Sequence, residues 1–74
     1  MSISAQSLTQ AREALTHSVE KDPNNVSAQY HLGLTCVRLN DWERGRRALK
    51  EALRLNPKFE GFTEAQKTLN QIGG

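Results

Sequence analysis

The stretch Ala28-Gln29-Tyr30-His31-Leu32-Gly33-Leu34-Thr35-Cys36 decides the fold of this chain. It has the pattern of the middle of a helix, yet Gly33 lies in its interior, where glycine is about 1 kcal/mol less favourable than alanine. A helix keeps such a glycine where another backbone must come close, because the missing Cβ leaves room. We expect that backbone to belong to the next amphipathic segment, Trp42 to Leu55.

The rest of the chain divides into helices that are separated by turn signals. Apolar residues recur every three or four positions, which is typical of helices with one face in a core. Pro23 and Pro57 interrupt this pattern, because proline cannot continue the hydrogen-bond ladder. The predicted helices span about 7–21, 26–39, 42–55 and 58–72. The residues expected to cap the N-termini of the first three helices are Ser7, Asn25 and Asp41. Ser7 would form a capping box with Gln10.

The second predicted helix carries two apolar stripes, which implies two neighbours, or one neighbour and one binding groove. The first stripe consists of Ala28, Leu32, Thr35, Cys36 and Leu39, and the second of Tyr30, Leu34 and Val37. The third predicted helix has a single stripe that we expect to be buried. Its members are Trp42, Gly45, Leu49, Ala52 and Leu53.

The helices repeat at a fixed distance along the chain. Pro57 follows Pro23 by 34 positions, and the same shift superimposes Leu15 on Leu49 and Val19 on Leu53. A fixed period between helix pairs is typical of solenoid proteins, in which each unit packs on its neighbours.

The period and the residues together resemble the tetratricopeptide repeat family. The residues that fit its pattern are Leu32, Gly33, Trp42, Gly45, Leu49, Ala52 and Pro57. Gln29 and Cys36 depart from it, because they stand where the family has aromatic residues. The resemblance implies an all-α fold: a right-handed α–α superhelix of about four antiparallel helices.

The resemblance also implies a division of the chain, which we expect to form one domain over residues 1–74. Residues 7–21 match the second helix of a preceding repeat, residues 26–57 a complete repeat, and residues 58–72 a capping helix. Stacked repeats need neighbours to bury a continuous core. We therefore expect either a C-terminal fragment of a longer array or a small protein that completes itself by self-association.

The function that the resemblance implies is a protein–protein interaction module or scaffold, which binds a peptide or helix in its concave groove. The candidate binding residues are Ser27, Tyr30, His31, Leu34 and Arg38, with Val37, Thr63 and Lys67 beside them. Tyr30, Leu34 and Val37 have a second interpretation, in which they pack against the last helix. The alternative function is self-assembly through the uncovered face of the first helix, around Leu8 and Leu15.

Charge gives a third alternative, a nucleic-acid-binding accessory. Residues 38–58 hold seven of the ten basic residues, although the chain as a whole carries a net charge of only +2. A solvated helix face is the commoner meaning of such a run, and no aromatic residues alternate with these charges to stack on bases.

Catalysis, metals and cofactors find no support in the sequence, so we expect a protein that is not an enzyme. The single Cys36 excludes an intramolecular disulfide and a cysteine-based zinc site. His17 and His31 fall on different predicted helices. The chain has no signal-peptide pattern and no apolar run of membrane-spanning length, so a cytoplasmic location is the default expectation.

Overall fold

The structure is a computed structural model that describes residues 5–73. It contains four helices, α1 (Ala5–Lys21), α2 (Val26–Arg38), α3 (Trp42–Leu55) and α4 (Phe62–Gln71). Within the described residues there is no strand, which confirms the all-α prediction. The bounds of α3 are those that the sequence predicts, and α2 ends one residue before the predicted Leu39.

The helices pack in chain order, α1 on α2 and α2 on α3, while α4 covers parts of both α3 and α2. The centre of the core is formed by Leu49, Ala65 and Leu69, which are almost completely buried. The half-buried residues around this centre are Tyr30, Leu34, Val37, Leu53, Phe59 and Ile72. α2 therefore has neighbours on two sides, as its two apolar stripes predict.

Two glycines allow α2 and α3 to approach each other closely. A Cβ atom added at Gly33 would lie 2.6 Å from Cγ of Leu49 and 3.1 Å from the carbonyl oxygen of Gly45. A Cβ atom added at Gly45 would in turn lie 3.1 Å from the carbonyl oxygen of Gly33 and 2.7 Å from Cγ2 of Val37. Only hydrogen fits at either position, which confirms that Gly33 is kept for contact with the next helix.

Of the three predicted helix caps, Asn25 is confirmed, Asp41 stands at the predicted N-cap position without a side-chain capping bond, and Ser7 is wrong. The side-chain oxygen of Asn25 accepts a hydrogen bond from the Ala28 N–H at 3.1 Å, as expected of a cap. Asp41 makes no such bond, because its carboxylate faces Arg12 at 3.4 Å and Arg44 at 3.6 Å instead. Ser7 lies inside α1, which already includes Ala5.

Asn25→Ala is expected to lower the free energy of unfolding by about 1 kcal/mol, because the substitution leaves the Ala28 N–H without its acceptor. Urea unfolding monitored by circular dichroism measures this loss. Asn24→Ala, in the same exposed turn, is the matched control and should be close to neutral, since no hydrogen bond of the Asn24 side chain is present. Equal losses in both variants would contradict the capping role of Asn25.

The start of α4 differs from the prediction. The helix begins at Phe62, four residues after the predicted Lys58, because the chain first forms a series of turns. The side-chain oxygen of Asn56 accepts from the Lys58 N–H at 3.1 Å, and its carbonyl oxygen accepts from the Phe59 N–H at 3.3 Å. These local bonds satisfy the backbone that a helix would otherwise engage.

The predicted burial of Trp42 is wrong, since 47% of this residue is exposed. Trp42 is the first residue of α3 and borders a hollow of about 260 Å³ beside Gln71 and Ile72, at the end of α4. In the rest of its predicted stripe, Gly45, Leu49 and Ala52 are buried as expected, whereas Leu53 is half-buried. Helical periodicity identifies the apolar face of α3 correctly, but it does not show how far along α3 the neighbouring helices extend.

Candidate functional site

A hollow of about 370 Å³ lies where the first turns of α2 meet the α3–α4 turn. Part of its lining comes from α2 and part from the residues that follow the second proline. We call it the aromatic notch, and its lining consists of Val26, Ser27, Tyr30, His31, Phe59, Glu60 and Gly61.

Aromatic rings shape the notch. The Tyr30 and Phe59 rings meet edge to face, with centroids 5.3 Å apart and an interplanar angle of 72°. The His31 ring is also near the Tyr30 ring, at a centroid distance of 5.4 Å and an interplanar angle of 55°. Such edge-to-face pairs are favourable, because a ring edge is positive and a ring face negative. The rings are therefore held in place before any partner arrives.

Gly61 allows this ring pair to form. A Cβ atom at this position would lie 2.6 Å from Cε2 of Phe59 and 2.8 Å from Cζ of Tyr30. Both distances are shorter than carbon atoms tolerate, so any other residue would push the rings apart. The turn after α3 thus supplies the notch with an aromatic ring, Phe59, and with the space that this ring needs.

Polar groups line the notch on both the α2 side and the turn side. The Ser27 hydroxyl and Nδ1 of His31 are 3.3 Å apart, one turn apart on α2, and both residues are exposed. Which of the two donates depends on the histidine tautomer. Glu60 is also exposed and adds a carboxylate on the side of the turn. The notch combines apolar ring surface with groups that can donate and accept hydrogen bonds.

The structure brings three of the five candidate residues together in the notch, namely Ser27, Tyr30 and His31. Leu34 is half-buried and packs against the core, and Val37 does the same. Arg38 is exposed at the last position of α2, about two turns beyond His31. The flanking candidates from the last helix, both exposed on α4, are Thr63 and Lys67.

Sequence reasoning missed the contribution of the α3–α4 turn. It assigned Phe59 and Glu60 to the last helix and gave Gly61 no role. The available signal was the position of an aromatic residue and a glycine soon after Asn56-Pro57, which is typical of a turn rather than of a helix start.

The first helix leaves little apolar surface open. Leu8, Leu15 and Val19 are half-buried along one stripe of α1, on the helix that packs against α2. Outside that stripe, the exposed residues between Gln6 and Lys21 are polar or charged, apart from Ala14. The face around Leu8 and Leu15 is thus only partly available to a second copy.

Cys36 is placed as a core residue. It is completely buried, and burial raises the pKa of its thiol, with the negative charge of Asp41 as a second cause. The reactive thiolate is therefore disfavoured. Across residues 5–73, no cluster of three or more histidine, cysteine or acidic side chains could hold a metal ion.

Two of the seven basic residues between Arg38 and Lys58 are held in ion pairs. Arg44 faces Asp41, and Arg54 donates hydrogen bonds to both carboxylate oxygens of Glu51. The side-chain hydrogen bonds from Arg54 also lower the pKa of Glu51. The basic run is thus partly neutralised by acids on the same helix or at its start.

The family model for the tetratricopeptide repeat matches residues 2–71, nearly the whole chain. The chain belongs to the tetratricopeptide repeat family. Domains of this family generally mediate protein–protein interactions and are typically non-catalytic. The comparisons with curated proteins and with solved structures give no significant match.

Most residues that fit the tetratricopeptide repeat pattern lie where α2 packs against α3. Among the residues that fit it, Gly33, Gly45, Leu49 and Ala52 are buried and Leu32 is half-buried. The exposed ones are Trp42, the first residue of α3, and Pro57, in the turn after α3. None of the helices in the described part of the chain is long and apolar enough to cross a membrane.

Proposed function

We propose that this tetratricopeptide repeat protein binds a peptide or helical segment of another protein, with the aromatic notch as the main anchor point. The observation that supports this is the pair of fixed rings, Tyr30 and Phe59, next to exposed polar groups at Ser27, His31 and Glu60. Rigid aromatic side chains contribute much contact area at little cost in conformational entropy, so they are frequent anchors at protein interfaces.

The notch suits an apolar or positively charged side chain of the partner. An apolar side chain would pack on the ring surfaces, and a lysine or arginine would also meet the Glu60 carboxylate. Ser27 and His31 would hydrogen-bond to the partner's backbone. Arg38 lies too far along α2 to share the same side chain, so it contacts only a partner that continues along the helix. We assign Leu34 to packing.

We further propose the division of the chain that the resemblance implies. α2 and α3 form the one complete repeat, α1 is the second helix of a preceding repeat, and α4 is the capping helix. The packing order supports this, because α2 and α3 make the most extensive contact and α4 packs on both of them. We assign no catalytic role to any residue, and the chain uses no cofactor in this function.

Self-association through α1 is the weaker candidate. Its apolar stripe around Leu8 and Leu15 is half-buried in a single copy, and its exposed face is almost entirely polar. Nucleic-acid binding has even less support, since Arg54 is already paired with Glu51 and no aromatic residues alternate with the basic run to stack on bases. A dimer in sedimentation at micromolar concentration, lost on Leu15→Glu, would favour self-association.

The decisive test compares His31→Ala with His17→Ala, which removes the other histidine, on the exposed face of α1. Immobilised wild-type protein first captures partners from a cell extract, and mapped partner peptides are then titrated in solution. Loss of the His31 side chain is expected to weaken peptide binding about fivefold, because it removes a ring and a polar group from the notch. His17→Ala should bind normally.

Ser27→Arg offers an independent second variant, because a long side chain at this exposed position would occupy the notch. Melting temperatures close to that of the wild type establish that both notch variants fold. If peptides bind His31→Ala and Ser27→Arg as tightly as the wild type, the notch is not the binding site and the proposal fails.

A further inference from the structure

A second cleft lies on the other side of α2, between α1 and α3. Its volume is about 430 Å³, which falls in the range of pockets that bind small ligands or single side chains. α1 and α3 form its walls and α2 forms its floor. We call it the outer cleft, and the lining residues that matter here are Val19, Gln29, Leu32, Arg44, Arg47 and Ala48.

The outer cleft and the aromatic notch are independent sites. Gln29 and Leu32 line the cleft, whereas Ser27, Tyr30 and His31 line the notch. Because successive helix residues are rotated by about 100°, these two sets fall on opposite sides of α2. A ligand in one site therefore does not touch the other.

The outer cleft is open for two reasons: α1 and α3 are separated, and the α2 residue Gln29 is smaller than the aromatic residue of the family pattern. Within the described residues, the backbones of α1 and α3 do not come close to each other. Gln29 stands where the family has an aromatic residue, and its amide nitrogen donates a hydrogen bond to the Pro23 carbonyl at 3.1 Å. The side chain is thus drawn to the α1–α2 turn, and the space that a large ring would fill stays open.

The floor of the outer cleft is apolar. Val19 and Leu32 are half-buried, and Ala48 is almost fully buried, so methyl groups from three helices face the same space. An apolar side chain of leucine size would bury this surface.

The α3 wall of the outer cleft is positively charged. Arg47 is exposed and makes no ion pair with any residue in the range 5–73. Arg44 contacts Asp41 only through Nε, at 3.6 Å, and Arg12 shares the same carboxylate. The one acid on this wall, Glu51, is already paired with Arg54. A ligand in the cleft therefore meets guanidinium groups with unused hydrogen-bond donors.

We propose that the outer cleft binds an acidic peptide segment of a partner protein. The peptide inserts a leucine-sized side chain over Val19, Leu32 and Ala48, and places an adjacent carboxylate against Arg44 and Arg47. The apolar floor and the charged wall together specify this class of ligand, because guanidinium groups bind carboxylates with paired hydrogen bonds. Neither feature alone would distinguish the cleft from an ordinary basic helix face.

Amide NMR titrations of the whole chain with three synthetic peptides test this proposal. The first is acetyl-Glu-Asp-Leu-Glu-Asp-Leu-amide, the second replaces each leucine by serine, and the third replaces each acid by lysine. We expect only the first to shift the amide signals of Val19, Leu32 and Ala48 in a saturable manner. Removing either the apolar or the acidic groups should weaken the binding about tenfold.

Two charge reversals on neighbouring positions of α3 provide the matched pair of variants. Arg47→Glu is expected to weaken binding of the first peptide about tenfold, since Arg47 lines the cleft. Arg46→Glu makes the same charge change but lies outside the cleft, beside Asn40 and Trp42. It should reduce binding less than twofold. His31→Ala, in the notch, should have no effect, which separates this proposal from that of the preceding subsection.

Several outcomes would overturn the proposal. The proposal fails if the first peptide causes no saturable shifts of the cleft amide signals. It also fails if Arg46→Glu and Arg47→Glu weaken binding of the first peptide equally, because the attraction would then be unspecific. Tight binding of the serine peptide would show that charge alone acts. A uridine oligonucleotide that competes for the same amide signals, with a steep dependence on salt, would assign the basic wall to nucleic acid instead.

Discussion

Gly33→Leu is expected to destabilise the chain by about 3 kcal/mol or more, because overpacking of a close contact forces both helices apart. Even the first added atom, a Cβ, would lie 2.6 Å from Cγ of Leu49, and Leu49 is completely buried and has no room to move. The larger side chain would also meet the carbonyl oxygen of Gly45. For a chain of this size the melting temperature should fall by roughly 10 °C or more.

Thermal unfolding monitored by circular dichroism measures this effect. Ala14→Leu is the control, because it makes a small-to-large change at an exposed helical position on α1. Leucine and alanine have similar helix propensities, so the control should change stability by only about 0.5 kcal/mol. If Gly33→Leu melts at the wild-type temperature, α2 and α3 do not make the close contact that we describe.

Leu49→Ala is expected to cost about 3 kcal/mol, because it leaves a cavity at the centre of the core. Leu49 has no exposed surface and packs from α3 against Gly33 of α2 and against Ala65 and Leu69 of α4. Leu55→Ala, on the last turn of the same helix, removes the same atoms from a half-buried position and should cost clearly less. Chemical denaturation of the two variants gives the difference directly.

A double-mutant cycle tests whether Leu49 is also the residue that excludes a side chain at Gly33. Gly33→Ala places a Cβ against Leu49, and Leu49→Ala removes the atoms that it would strike. The combined loss of stability should therefore be smaller than the sum of the two single losses. Strictly additive losses would mean that the two positions do not contact each other.

The features that were predictable from the sequence are those set by local rules. The turns at Pro23 and Pro57 separate the helices, Asn25 caps α2, and Gly33 lies against the next helix. Each of these follows from the chemistry of one residue and its immediate neighbours, since backbone angles, caps and close contacts depend on residue type.

The predictions that failed depend on residues distant in sequence. Asp41 is the N-cap residue of α3, as predicted, but its side chain makes no capping bond, because its carboxylate faces Arg12, 29 positions away along the chain. Phe59 shares the helical spacing of the last helix, but it packs on Tyr30 from within a turn. Trp42 has the right position in the stripe, yet it lies at the end of the packed region. Periodicity in sequence does not report such placements.

The candidate site was also predictable only in part. The α2 side of the notch, with Ser27, Tyr30 and His31, follows from the face of the helix that the family resemblance indicates. The turn side, with Phe59 and Gly61, requires knowledge of how the α3–α4 turn folds back on α2. The outer cleft was not predictable either, because it depends on the separation between α1 and α3.

The limited contact of α1 with the other helices has a consequence for local unfolding of the chain. α1 packs on α2 alone and reaches the start of α3 through one ion pair, between Arg12 and Asp41. α2 and α3 are joined by far more extensive contact. Local unfolding begins in elements that lose little contact, so the amides of α1 should exchange their hydrogens with solvent sooner than those of α2 and α3. Detachment of α1 would leave α2, α3 and α4 folded together around Leu49, Ala65 and Leu69.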